Sequence, residues 1–140
     1  MSEEQAQYLL QQMQALETYM SEIMQREDAV IKLLQEATGA VDSMKALDTN
    51  TEYETLVPVG LGTFVKAKIQ PNQKMIINIG AGAAIEQDKE AAINFIESRI
   101  KELEVVLQQF AVQKQEVAMR LEQGQHEMNI LIQGNRNPTH

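Results

Sequence analysis

Two glycine-rich elements are the first places where this sequence could bind a ligand. Residues 60–62 and 80–82 both have the Gly-x-Gly spacing with which phosphate-binding loops begin. A dinucleotide-binding loop needs a third glycine three residues later, at the start of a helix, but Val65 and Ile85 occupy those positions in strand-like segments. No Gly-Lys-Ser/Thr sequence follows either element. We therefore predict turn and bulge glycines, no nucleotide site and no cofactor.

The titratable residues do not form a pattern typical of catalysis. His126 has Glu122 four residues before it and Glu127 beside it, which is at most part of a metal site. The chain has no cysteine, so thiolate metal sites and disulfides are excluded. Carboxylates are plentiful, but the sequence places no pair of them on a rigid concave scaffold, as acid–base catalysis requires. We predict no metal, no catalytic residues and no enzyme.

Two long apolar repeats dominate the chain and predict two coiled-coil helices. Apolar residues recur in alternating steps of four and three, which is the spacing of a coiled-coil seam. The first repeat interrupts this rule only at Glu27, and the second only at Lys114 and Gly124. The predicted seam comprises Leu9, Met13, Leu16, Met20, Ile23, Glu27, Val30, Leu34, Ala37, Val41 and Met44, then Ile93, Ile96, Ile100, Leu103, Leu107, Phe110, Lys114, Val117, Leu121, Gly124, Met128 and Leu131.

The exceptions in the seam predict how the two helices align. If they pack antiparallel with their free ends level, position n lies close to position 141 − n, and Glu27 then faces Lys114. A charged pair of this kind can fix the register of a coiled coil at some cost in stability. The alternative is that two polar positions fall in the seam by chance.

The middle of the chain predicts four short strands in two hairpins. Apolar and β-branched runs at residues 56–59, 63–69, 75–79 and 83–86 are linked in pairs by the two Gly-x-Gly elements. Four short strands bury little and expose their edges, so they need strands from other chains to complete a barrel. The residues predicted for this oligomer interface are Val57, Val59, Phe64, Val65, Ile69, Ile77 and Ile79.

These elements divide the 140 residues into segments of a single subunit. We expect a first helix over residues 1–48, a β-hairpin segment over 55–87, a second helix over 88–133 and a loose tail over 134–140. Asp88 is a suitable N-cap for the second helix, and Gly134 and Pro138 are expected to end it. The fold class is α+β, with a long antiparallel two-helix coiled coil and two central β-hairpins.

Charge and hydropathy exclude several function classes. The net charge of −8 disfavours a general nucleic-acid binder, because the chain repels phosphate backbones. No apolar run approaches the roughly 20 residues that span a bilayer, and the acidic N-terminus is unlike a secretory signal. We expect a cytoplasmic protein that binds neither nucleic acid nor membrane.

The free ends of the two helices carry apolar residues that the seam does not explain. Methionine is flexible and suits surfaces that accept varied partners, and exposed apolar patches mark interaction sites. One explanation is that methionine simply fills the seam, where Met13 and Met128 lie, but that does not account for the off-seam residues. We predict a binding surface at these ends, comprising Tyr8, Leu9, Leu10, Met13, Met128, Ile130, Leu131 and Ile132.

The whole layout resembles the alpha class of the prefoldin family. The resemblance rests on the segments LVPVGLGTFV at 56–65 and INIGAG at 77–82, followed by Ile85-Glu86 and Ala91-Ala92-Ile93. Two hairpins rather than one indicate the alpha class rather than the beta class. Leu61 and Thr63 stand where the family often has Ala and Ser.

The resemblance implies a subunit of a hexamer with two alpha-class and four beta-class chains. The hairpins would form a β-barrel platform, and the coiled-coil tips would hold non-native proteins without ATP and pass them to a group II chaperonin. Two other hypotheses stay open: a self-assembling filament or homo-oligomer, and a coiled-coil adaptor that binds one native partner.

Overall fold

A computed structural model describes residues 2–47 and 50–136 of the chain. Two long helices are separated in sequence by four strands, which is the predicted α+β coiled-coil fold. The elements are α1 (Ser2–Ala46), β1 (Tyr53–Gly60), β2 (Thr63–Ile69), β3 (Met75–Gly80), β4 (Ala83–Gln87) and α2 (Lys89–Arg136). The chain forms two compact units, Met1–Leu33 with Leu103–His140, and Leu34–Glu102. Among the described residues, the first unit contains parts of the two helices, and the second contains both hairpins and the remaining parts of the helices.

The predicted seam is the part of both helices that is removed from solvent. Every seam residue of α1 and α2 is buried or half-buried, whereas most of their neighbours are exposed. The deepest positions are Ile23, with 1% of its surface exposed, and Val117, with 4%. Burying one such aliphatic side chain contributes roughly 1.5–3 kcal/mol. The heptad pattern therefore correctly predicted which face of each helix is covered.

The two charged seam residues meet, as the sequence predicted. The Lys114 ammonium lies 2.9 Å from Oε1 and 2.7 Å from Oε2 of Glu27. Their side chains are 33% and 20% exposed, so the pair is partly desolvated. This contact confirms the antiparallel register in the first unit. Removal of either partner would leave the other charge in an apolar seam without its counter-ion.

Gly124, the remaining exception, makes room for a methionine of the opposite helix. A Cβ at this buried position would lie only 3.0 Å from Cγ and 3.2 Å from Sδ of Met13. The missing side chain at 124 is thus matched by a long side chain at 13. The glycine, which weakens a helix by about 1 kcal/mol relative to alanine, has a packing reason here.

The strands form two separate antiparallel hairpins. Within the described residues, strand β1 pairs only with β2, and β3 pairs only with β4. Both turns place two consecutive residues at positive φ: Leu61 at 50° and Gly62 at 75°, and Ala81 at 52° and Gly82 at 76°. Positive φ at both central residues matches the twist of tight hairpin turns. The two Gly-x-Gly elements are therefore turns, as predicted.

Side chains at the start of α2 tie it to the end of α1. An Asp88 carboxylate oxygen accepts a hydrogen bond of 2.8 Å from the Ala91 amide, which confirms the predicted N-cap. The Lys89 ammonium donates to the carbonyl oxygens of Leu47 at 2.7 Å and Lys45 at 3.3 Å. Carbonyls at the end of a helix lack partners within it, so this lysine satisfies two of them.

The observed boundaries differ from the predicted ones by a few residues. Helix α2 continues through Gly134 to Arg136 instead of ending near residue 133, since one glycine does not end a helix. Strand β1 begins at Tyr53 rather than near residue 55, because residues 53–55 pair with 67–69. Helix α1 ends at Ala46 rather than 48. Residues 48 and 49, and residues 137–140 of the predicted tail, lie outside the described residues.

A double-mutant cycle tests the pair in the seam. We expect Lys114→Leu to lower the free energy of unfolding by about 1–2 kcal/mol, because it leaves the half-buried Glu27 carboxylate unpaired. The double change Glu27→Leu/Lys114→Leu should lower the free energy of unfolding by less than Lys114→Leu does, since it extends the apolar seam. Thermal melts measure both.

The exposed pair of Asp28 and Lys32, 3.4 Å apart on one helix, is the control. Lys32→Leu should change stability by no more than about 0.5 kcal/mol. If the stability changes of the two single substitutions, Glu27→Leu and Lys114→Leu, add up to that of the double substitution, the two side chains do not interact as proposed.

Candidate interaction surfaces

The hairpins present an apolar surface that their own chain does not cover. Five of the seven residues predicted for an oligomer interface are exposed by 40% or more, which is unusual for large apolar side chains gathered in one segment. Ile69 is half-buried. The exposed residues are Val57, Val59, Phe64, Val65 and Ile79.

Ile77 differs from the other predicted interface residues. Only 8% of its surface is exposed, whereas its neighbour Ile76 is 72% exposed. Ile77 lies opposite Ile85, and Ile76 lies opposite Glu86 on the other face of the hairpin. The structure therefore assigns Ile77 to the core of the chain itself. The exposed residues that sequence reasoning missed are Ile76, Leu56 and Leu61.

The same hairpins leave backbone hydrogen-bonding groups available at their edges. Each sheet has two strands, and neither pairs with a further strand among residues 2–47 and 50–136. Residues 55–65 and 75–85 contain no charged side chain, and charge is the usual protection of an exposed edge. Free edges beside exposed apolar side chains are typical of a segment that is completed by other chains.

A second surface lies where α1 begins and α2 ends. Two adjoining grooves of about 440 and 380 Å³ share Leu9, Gln12 and Glu127 in their walls. We call them, together with the adjacent exposed residues Leu10 and Ile132, the end groove. Its other residues are Gln5, Tyr8, Met13, Ala15, Leu16, Tyr19, Arg120, Gln123, Gly124, Ile130 and Leu131. Aromatic and aliphatic side chains beside amide groups give a surface that can contact apolar peptides without a fixed hydrogen-bond pattern.

The residues predicted for binding at this end fall into two sets. Leu9, Met13, Met128 and Leu131 are seam residues and are buried or half-buried, so they support the helix pair. The others project from it: Tyr8 is 63% exposed and Ile130 is 55% exposed, and Leu10 and Ile132 are also exposed. The exposed set is what a ligand can reach without separating the helices.

Further exposed apolar residues recur every seven residues along each helix, but they lie outside the seam. Val105, Val112 and Met119 recur every seven residues on α2, and Met24 and Ile31 do so on α1. Their exposure could have been predicted from the sequence, because they lie seven residues apart at positions that do not belong to the three–four alternation of the seam. They provide controls for the residues of the end groove.

Sites for catalysis or metal binding are not evident in the described parts of the chain. No group of three or more His, Cys, Asp or Glu side chains there could hold a metal ion. His126 lies on an exposed part of α2. Among the helices of residues 2–47 and 50–136, none is long and apolar enough to cross a membrane.

Comparison with known proteins places this arrangement in a family. A family model described as "Prefoldin subunit" matches residues 2–134. Prefoldin subunit alpha of Nitrosopumilus maritimus is 52% identical over 133 residues, covering 95% of this chain and 92% of that protein.

Two solved structures share the fold. The cryo-EM structure of filamentous PFD from Methanocaldococcus jannaschii has a TM-score of 0.61 at 24% identity, covering 86% of this chain and 98% of the other. The crystal structure of the prefoldin beta subunit from Thermococcus strain KS-1 has a TM-score of 0.62 at 18% identity, covering 89% of both chains.

The contrast between Ile77 and Phe64 gives a prediction. Ile77→Asp buries a carboxylate in the core of its hairpin, so we expect a loss of about 2–4 kcal/mol in the stability of the chain. Phe64→Asp changes a side chain that is 55% exposed, so the fold of the chain alone should change little. Denaturant unfolding of each variant, followed by the fluorescence of a probe in the hairpin segment, measures this. Equal losses for the two would contradict the assignment of Ile77 to the core.

Proposed function

The chain belongs to the prefoldin family of chaperone subunits, and from this premise we propose that it is part of an ATP-independent holding chaperone. It joins the complex through its hairpins, captures non-native proteins at the ends of its helices and delivers them to a group II chaperonin. The observation that carries the proposal is the presence of two unfilled apolar surfaces, one on the hairpins and one at the helix ends.

The hairpins support the assembly part of the proposal. Their two-stranded sheets have free edges, and Val57, Val59, Phe64, Val65 and Ile79 expose apolar surface that other subunits can cover. We propose that beta-class prefoldin subunits cover it, in a hexamer of two alpha-class and four beta-class chains. Ile69 lies at the half-buried margin of this surface, and Ile77 supports it from the core.

The end groove supports the capture part. Tyr8, Leu10, Ile130 and Ile132 are exposed, while the seam beneath them is half-buried and contains Met13 and Met128. Methionine adapts its shape to different neighbours, so the groove can accept varied apolar sequences. Contacts of this size are weak individually, and several subunits bound to one client would together give a much higher overall affinity.

A self-assembling filament or homo-oligomer is the second candidate. The free edges of the two hairpins favour it as well, because an edge can be completed by another copy of the same chain. The solved relative from Methanocaldococcus jannaschii is itself a filamentous form. An adaptor for one native partner is a third candidate, and it would not protect unrelated unfolded proteins.

The mass of the assembly separates these candidates. We expect the chain mixed with a beta-class prefoldin subunit to give a hexamer with two copies of this chain in native mass spectrometry. Phe64→Asp should prevent its formation, since a charge in that apolar contact is not compensated. A range of masses that correspond to increasing numbers of copies of this chain, unchanged when the beta-class subunit is added, would favour the filament.

Client capture is tested by removing exposed side chains without touching the seam. In the assembled complex, we expect the combined change of Tyr8, Leu10, Ile130 and Ile132 to Ser to raise the concentration needed to suppress aggregation of a denatured test protein by about tenfold or more. Light scattering without nucleotide measures this, and native mass verifies assembly.

The matched control changes Val105, Val112 and Met119 to Ser. These residues are 52%, 56% and 55% exposed, which is close to the exposure of the four residues changed in the end groove, at 40–63%. We expect the control complex to protect as well as the unchanged one. If the control loses as much protection, or if the four-residue variant loses none, capture does not occur at the end groove.

A further inference from the structure

The larger of the two grooves at the helix ends contains a position without a side chain. This groove, of about 440 Å³, is lined by Gly124 of α2 and by Leu9 and Met13 of α1. A Cβ at residue 124 would lie 3.2 Å from Sδ of Met13 and 3.8 Å from Cδ1 of Leu9. Met13, whose sulfur lies beside the glycine, is therefore part of the wall that a ligand contacts.

Two charged side chains flank Gly124 along α2. Arg120 lies four residues before the glycine and Glu127 three residues after it, so both project from the same face of the helix. Both line the groove and are exposed. Neither forms an ion pair with another residue of 2–47 or 50–136. Both charges are therefore available to a ligand.

An aromatic side chain of α1 adds to the same wall. Tyr19 lines the groove and is 41% exposed. An aromatic ring has a negative face and a positive edge, so it attracts a second ring in an offset or edge-to-face arrangement. A guanidinium group such as that of Arg120 is attracted to the face of a ring, and the sulfur of a methionine such as Met13 makes favourable contacts at its edge. Each of these three side chains thus gains more from a ring than from an aliphatic group.

The charges of the groove also discriminate between the two kinds of ligand. An aliphatic side chain gains only in proportion to the apolar area that it buries. It also partly desolvates Arg120 and Glu127 and offers them nothing in return, which costs free energy. An aromatic ring offsets this cost, because its negative face complements the guanidinium and its positive edge complements the carboxylate.

We infer that this part of the end groove selects aromatic side chains, with the ring of a client phenylalanine, tyrosine or tryptophan placed over Gly124 between Met13, Tyr19 and Arg120. The inference rests on the proposed capture of clients at the end groove and names the class of side chain that the groove prefers. Folded proteins bury most of their large aromatic side chains. A groove that selects rings therefore favours non-native proteins over native ones.

Two peptides that differ only in aromatic character test this selection. Both are unstructured and have one sequence, but the apolar positions carry phenylalanine in one peptide and cyclohexylalanine in the other. The saturated ring has nearly the same shape and is at least as apolar, so the comparison isolates the electrostatics of the ring. Each peptide is titrated into the full chain, with and without a beta-class subunit. We expect the phenylalanine peptide to bind about threefold more tightly or better.

The methionine methyl signals of this chain, labelled with a carbon isotope for NMR, show where the ring binds. The phenylalanine ring should shift the signal of Met13 through its ring current, and the saturated ring should not. Met24 is the matched control, because it is 54% exposed on the same helix but is not a residue of the end groove. Its signal should move little with either peptide. Met13→Leu and Met24→Leu identify the two signals.

Substitution of the arginine tests the contribution of its charge. Arg120→Gln should lower the preference for the phenylalanine peptide by about twofold or more, while binding of the cyclohexylalanine peptide stays within about twofold. The matched control is Arg99→Gln, which removes the same charge from a guanidinium that already lies 5.4 Å from the centre of the Phe95 ring. We expect the control to keep the full preference. Circular dichroism should show that both variants keep their helical content.

The inference is overturned if neither peptide binds, if the cyclohexylalanine peptide binds as tightly as the other, if Met24 shifts as much as Met13, or if Arg99→Gln lowers the preference as much as Arg120→Gln. Suppression of aggregation by the unchanged complex separates this failure from failure of the proposed function. A complex that suppresses aggregation through the end groove but does not distinguish the peptides would reject aromatic selection and retain the proposed capture.

Discussion

A seam of alternating three- and four-residue steps is the constraint on which the rest of the structure depends. Two helices can bury only the side chains along the line where they touch. Ile23 and Val117 are therefore almost fully covered, while Tyr8, Val112 and Ile130 remain exposed although they are equally apolar. The seam also decides what is available for binding, because the apolar residues outside it have no other helix to cover them. The exposed apolar surface of these helices is a consequence of a thin core.

The polar and small residues of the seam give the pairing a definite alignment. A seam of aliphatic side chains alone fits nearly as well after a slip of one heptad. The contact between Glu27 and Lys114, and the fit of Met13 against Gly124, are both lost by such a slip. The pair contributes little net stability because the charges must be desolvated, and its value lies in selecting one register over another.

The sequence predicted the features that depend on periodicity and missed those that depend on which surface is covered. The alternation of steps determined the helical seam and, with the free ends of the helices level, placed Glu27 opposite Lys114. The hairpins followed from their turn residues. The sequence placed Ile77 on the apolar face of its strand, but it did not predict that its own chain covers Ile77, because alternation does not show whether an apolar face packs on its own chain or on another one. Leu61 was noted only as a departure from the family, since its positive φ is known only from the backbone of the turn.

Lys89 lies at the junction between the two helices and the hairpin segment. Its contacts with the carbonyl groups of Lys45 and Leu47 join two points that are more than 40 residues apart in sequence, at the start and finish of the hairpin segment. The contact brings these two points together, so the hairpin segment begins and ends at one place beside the two helices. A substitution within residues 50–87 that keeps Lys89 therefore leaves this junction between the two helices intact.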